Sequence, residues 1–305
     1  MANGDAASEP PRRSGRIESG AADEPRRLDP SVAAPSRPRI AIAEVLTNGW
    51  FEAWYQPKIN LKRKCLAGAE TLACIRHPGL GVLMPGDFDC GAHDIASLGE
   101  RALTAALKSW SPFDQAGFNL SLSMNVPVGV LLDLPIRELV AEHRPQSDRW
   151  PGLILHVTED EIVRDPKLAR EITTRLRASG IKIAIDNFGA GYSSLAGLRE
   201  IPFIEIRLDR SFVQDCATDP TNGAICQTAI DLSHRFGSVA AADGIRSQAD
   251  LQALMAMGCD LGQGELIAPP MPQEDLLDLL RERVTKPRPQ PGAGPPPAVT
   301  INRIA

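Results

Sequence analysis

The chain has 305 residues with 26 prolines, 25 glycines and a formal net charge of −5. Residues 1–39 and 286–305 each carry six of the prolines and no aromatic side chain. These ends bury too little apolar surface to offset chain entropy, so both are expected to be disordered tails around a folding unit at 40–285.

That unit holds 23 basic and 32 acidic residues. The acidic excess argues against a nucleic-acid polymer as partner, which requires positive charge to displace counterions. No run of about 18 apolar residues exists, so no membrane span is expected. The polar N-terminus lacks the apolar core of a secretory signal. Cys65, Cys74, Cys90, Cys216, Cys226 and Cys259 show no metal-binding spacing and read as reduced thiols of a cytoplasmic protein.

In chain order, apolar segments at 51–59 and 66–75 read as strands. Their connection is too short for a helical crossover and predicts an antiparallel hairpin. A helical pattern at 96–110 follows, then a strand at 118–126. Residues 128–143 are helical, with a break or a new start at Pro135. A strand at 153–159 leads to a helix at 165–180, with Asp165 as cap, Pro166 in the first turn and Gly180 at its end. Strands at 181–186 and 204–209 precede a second Asp-Pro helix at 219–237. A strand at 238–243, a helix from Ser247 to Gly258 and a strand at 259–267 complete the pattern.

Several strands are apolar on both faces, as buried parallel strands are. Eight strands alternating with helices predict an α/β chain of the (β/α)₈ TIM-type barrel class with an antiparallel first strand. A doubly wound open sheet is the second choice, weakened by the lack of a glycine-rich first turn.

Chemistry in such barrels sits at the C-terminal strand ends. Those ends carry Glu70, Asn125, His156, Glu159, Asp186, Asn187, Arg207, Asp209, Asp243 and Gln263. Converging oxygen donors of this kind suit Mg²⁺ or Mn²⁺. His156 and Glu159 lie three apart, on opposite faces of a strand, and make a poor catalytic pair on their own.

The segment YQPKINLKRKCLAGAETLACIRHPGLG resembles the opening of the EAL domain, the family that hydrolyses cyclic di-GMP. The likeness continues through SMNVP, LHVTE, IKIAIDNFGAGYSSL, IEIRLDRSFV, AAADGIRS and GCDLGQGELIAPPMP, over roughly residues 43–282. It implies a (β/α)₈ barrel and metal-assisted attack of water on one phosphodiester, giving pGpG. It also implies metal-ligand roles for Glu70, Asn125 and Asp186, and a site role for Gln263. Leu72, Cys74 and Asp209 fall at ligand-binding positions. Glu159, Gly189 and Gly191 fall at positions that support the loop after strand five.

The pattern is broken at several places. His156 stands where the family has a glutamate ligand, and Asn187 where it has a second aspartate. Arg207 replaces the water-orienting lysine and cannot act as a base. Asp243 replaces a glutamate, and Cys74 an arginine that contacts a phosphate. Two negative charges are lost from a two-metal site that needs them, so the second metal position is expected to be empty. The expectation is an impaired or inactive member acting as a cyclic di-GMP sensor or as a regulator that binds a protein partner. The competing expectation is an active phosphodiesterase, slow or Mn²⁺-dependent. A homodimer is compatible with either.

Overall fold

The structure, a computed structural model, describes residues 37–164, 166–189, 198–199 and 201–285. The stretches 1–36 and 286–305 of the expected tails, Asp165 and Gly191 lie outside the described residues.

Helix α1 (Ile42–Thr47) leads into the hairpin β1 (Phe51–Asn60) and β2 (Cys65–His77), followed by a short β3 (Gly81–Leu83). Then come α2 (Ala92–Gln115), β4 (Ser121–Asn125), α3 (Val128–Asp133), α4 (Ile136–His143), β5 (Leu153–Thr158), α5 (Glu159–Arg164) and α6 (Pro166–Arg177). The second half holds β6 (Ile181–Phe188), β7 (Glu205–Leu208), α7 (Arg210–Val213), α8 (Pro220–Arg235), β8 (Val239–Ala242) and α9 (Gln248–Ala256). It ends with β9 (Leu261–Gly262), β10 (Met271–Pro272) and α10 (Gln273–Thr285).

Strands β2, β4, β5, β6, β7, β8 and β9 run parallel in that spatial order. Strand β1 closes the ring by pairing antiparallel with both β2 and β9. The result is the eight-stranded barrel expected, with the hairpin as its antiparallel element. The buried strands are Ile/Leu/Val-rich and pack against the helices through one large core, with a smaller cluster around α1 and β3.

Local chemistry sets the boundaries. Asp219 caps α8 by accepting from the N–H groups of Thr221 and Asn222, with Pro220 in the first turn. Ser247 caps α9 through the Asp250 N–H. Pro135 separates α3 from α4, as its missing N–H requires. Gly68 lets β2 and β4 approach closely: a Cβ there would collide with the Ser121 carbonyl oxygen.

Some boundaries differ from expectation, two of them for evident physical reasons. Strand eight shrinks to Leu261–Gly262, because the chain turns at Gly264 (φ +154°) onto the Ile245 backbone, which leaves no room for a Cβ. Pro38 and Arg39, assigned to the tail on proline content, pair with Asp89. The Pro38 carbonyl accepts the Asp89 N–H at 3.0 Å. The adjacent Ile40 and Ile42 are buried with Phe88 and Leu83, which anchors this stretch. Among the described residues, no helix is long and apolar enough to cross a membrane.

Candidate functional site

A cleft of about 480 Å³ opens at the C-terminal end of the barrel strands. It is lined by Glu70, Leu72, Asn125, Arg207, Asp243 and Gln263 of the sequence-derived set, together with Gln56, Met84, Asp87, Arg210, Arg246 and Glu265. Period-two alternation puts Glu70, Asn125, His156, Asp186 and Arg207 inside the ring.

Arg207 is the hub. Its Nε donates to Asp186 Oδ1 at 2.6 Å, and its Nη2 donates to Asp186 Oδ2. Nη1 donates to Glu70 Oε2 at 2.8 Å, and Nη2 also reaches Asn125 Oδ1 at 3.0 Å. Arg207 is only 3% exposed. Its donor contacts therefore end on the three residues that the resemblance names as metal ligands.

The protonation states follow from this contact. Burial pushes the Glu70 carboxyl up, but Arg207, His156 and Gln263 hold it well below the usual range. Asp186 is lowered likewise: burial opposes ionisation and Arg207 overrides it. Burial alone would lower Arg207, yet Glu70 and Asp186 raise it well above its ordinary value. Asp243 is raised, chiefly by burial.

His156 lies beneath this hub. The Asn125 amide is oriented by its Nδ2, which donates to Glu70 Oε1 at 2.8 Å. Asn125 Oδ1 therefore faces His156 Nδ1 at 3.2 Å, and Nδ1 is the donor. His156 Nε2 has no hydrogen-bond partner among the described residues, and Glu205 Oε1 is 3.7 Å away. Burial, then Arg207 and Lys58, push the imidazole below its ordinary pKa, against the opposing pull of Glu70. Glu205 is paired with Lys58 at 2.7 Å, both buried. Gln263 Nε2 donates to Glu70 Oε2 and to Gln56 Oε1.

Other expected residues fall outside the cleft. Asn187 is exposed and sits at φ +55°, a left-handed conformation that asparagine tolerates. Its N–H bonds Asp186 Oδ1 at 2.7 Å, and its side chain does not line the cleft. Cys74 is fully buried and turns its Sγ to Met84 Sδ at 3.5 Å, as a short apolar thiol prefers. Burial, with Glu52 and Asp87, pushes that thiol up to about 12. Asp209 caps α7, accepting the Ser211 N–H at 2.8 Å. Glu159, 2% exposed at the start of α5, accepts the Gly189 N–H at 3.0 Å.

Several partners escaped the sequence reading. Glu205 stands two before Arg207, so alternation alone marks it as facing the same interior. Glu161 accepts from Thr158 N–H and from Val128 N–H, tying α3 to α5. The Thr-x-x-Glu spacing of a capping box signals the first of these bonds. Arg210 and Arg246 sit just past the strand ends, in the segments that follow β7 and β8.

Known proteins share this architecture. The profile of the EAL domain matches residues 39–270. The chain belongs to the EAL domain family. It is 34% identical over 260 residues to the cyclic di-GMP phosphodiesterase RocR of Pseudomonas aeruginosa, covering 82% of this chain and 65% of RocR. It is 32% identical over 232 residues to the bifunctional diguanylate cyclase/cyclic di-GMP phosphodiesterase MucR of the same organism, covering 73% of this chain and 33% of MucR. The chain thus spans less than two thirds of these curated relatives. Among solved structures, the PaMucR phosphodiesterase in complex with c-di-GMP superposes with a TM-score of 0.69 at 28% identity, over 77% of this chain and 97% of that one.

EAL phosphodiesterases depend on divalent Mg²⁺ or Mn²⁺. The donor set of this EAL domain does not fit such an ion. Glu70, Asn125 and Asp186 are all engaged by one guanidinium, and a dication beside it would meet a fixed positive charge. His156 contributes no negative charge. Among the described residues no group of three or more His, Cys, Asp or Glu is placed to hold a metal.

Proposed function

We propose that this EAL domain works in cyclic di-GMP signalling as a catalytically impaired member, one that senses the nucleotide or docks on a protein partner. One observation carries the reading: Arg207 bonds Glu70, Asn125 and Asp186 at once. A permanently charged guanidinium cannot take a proton from water. Held by two carboxylates, it also cannot swing to orient one without leaving both unpaired. Hydrolysis by way of metal-activated water is therefore expected to be slow or absent, while the cleft, Leu72 and Gln263 still suit a nucleotide.

The test is pGpG release from cyclic di-GMP with Mg²⁺ or Mn²⁺, wild type beside the His156→Glu, Asn187→Asp, Arg207→Lys reversion. Little product from wild type and a gain on reversion support the reading. Wild-type turnover matching RocR overturns it.

An active phosphodiesterase is the second reading. Its support is the phosphodiesterase activity of the relatives RocR and MucR and the survival of Glu70, Asn125, Asp186 and Gln263 around the barrel mouth. On that reading the triple reversion changes turnover little.

A further inference from the structure

The cleft has cations that the Arg207 hub does not use. Arg210, at the start of α7, and Arg246, in the turn after β8, both line it. Their side chains are 68% and 57% exposed. Arg210 Nη2 is 3.7 Å from Asp243 Oδ2, and Arg246 Nε is 3.4 Å from Glu265 Oε2. Satisfied charge-assisted bonds are shorter, about 2.7–2.9 Å, so both guanidinium groups keep free donors. Arg207 is the opposite case, buried and consumed by its carboxylates.

The turn holding these groups is built closely. Gly244 (φ +75°) presses on the Arg210 stem: a Cβ at Gly244 would lie 2.7 Å from Arg210 Cβ. Ile245 N–H bonds the Gln263 carbonyl at 3.0 Å, and Leu266 N–H bonds the Ile245 carbonyl at 3.1 Å. The segments bearing Arg210, Arg246 and Gln263 are therefore fixed to one another at the cleft rim.

We propose that Arg210 and Arg246 form a two-arginine clamp that holds the phosphodiester oxygens of a cyclic dinucleotide in this cleft without a divalent metal. The proposal rests on the cyclic di-GMP reading above. A cyclic dinucleotide brings two negative phosphodiester groups, and the clamp supplies two planar guanidinium groups suited to phosphate oxygens. In this arrangement Arg207 supplies the internal positive charge and the rim arginines take the ligand. Asp243 and Glu265 are the carboxylates each arginine would leave on binding.

The experiment is calorimetric titration of the full chain with cyclic di-GMP, first in EDTA and then in Mg²⁺. Wild type, Arg210→Ala, Arg246→Ala and the two lysine variants are compared, with circular dichroism melts to verify folding. The clamp predicts equal affinity with and without metal. It predicts a loss of about ten- to hundredfold for each alanine variant, the scale of a charged hydrogen bond. Lysine should restore part of that loss, because it keeps charge but not the fork. Binding that requires Mg²⁺, or binding untouched by both alanine variants, overturns the clamp while leaving the sensor reading intact. No binding by wild type in either buffer overturns both.

Discussion

Arg207 grips Asp186 side-on, with Nε on Oδ1 at 2.6 Å and Nη2 on Oδ2, and the same guanidinium reaches across the barrel to Glu70. Both carboxylates are buried, and each is kept ionised by this one cation. The contact makes arginine a structural part of the barrel mouth.

Arg207→Met should therefore be costly. It leaves two buried carboxylates facing each other, and breaking a buried pair costs about 3–5 kcal/mol. Denaturant melts measure this directly. Millimolar Mn²⁺ should recover part of the loss in the variant, because a dication can then sit among Glu70, Asn125 and Asp186. The same Mn²⁺ should leave the wild-type midpoint unmoved. Equal Mn²⁺ stabilisation of both proteins would show that Arg207 does not exclude the metal.

Lys58 and Glu205 give a second, independent test in the layer below. They meet at 2.7 Å, nearly sealed from solvent. Lys58→Met alone should destabilise by about 3 kcal/mol or more, since Glu205 is left charged and buried. Lys58→Met with Glu205→Gln should cost clearly less than the sum of the single changes. Additive losses would mean that the pair is not coupled.

Much of this arrangement was legible in the sequence. The eight strands, the antiparallel hairpin and the caps Asp219 and Ser247 follow from apolar runs, connection length and turn chemistry. Glu70, Asn125, Asp243 and Gln263 meet at the barrel mouth because strand ends meet there in any such barrel. What the sequence hid was pairing. Alternation in IEIRLD turns Arg207 inward, but nothing in it names Glu70, 137 positions earlier in the chain, as its partner. Cys74 keeps its place on β2, but its short side chain turns to Met84 and leaves the cleft to others. Asn187 lies one residue past an inward aspartate, and its left-handed backbone turns it to solvent.

Glu159 is expected to matter through the backbone it holds. Its Oε2 accepts the Gly189 N–H across 30 positions of sequence. Glu159→Ala removes that acceptor and should cost about 1–3 kcal/mol. Amide exchange at Gly189 should accelerate beyond what the global stability loss explains. Unchanged protection at Gly189 would assign the loss to packing around α5.

Asp260 offers a pH-dependent test far from the cleft. Its Oδ2 accepts from Ala240 N–H at 3.0 Å and meets His234 Nε2 at 2.7 Å, while Oδ1 pairs with Lys62 at 3.2 Å. Its backbone N–H and carbonyl bond Ala240 and Leu61, so one residue stitches β1, β8 and the end of α8 near the barrel closure. Burial raises the carboxyl, but the Ala240 N–H, His234 and Lys62 outweigh it and leave the folded pKa below the ordinary value. A group lowered on folding stabilises fully above its unfolded pKa, about 3.9 for aspartate, and loses that contribution as pH falls through the folded value. Thermal melts of wild type and Asp260→Asn should thus differ most near neutrality. The gap should begin to narrow below about pH 4, where the unfolded chain takes up the proton first, and close as the pH falls through the lower folded value. A gap that stays constant from neutral to acid pH would show that the Asp260 charge contributes nothing to closing the barrel.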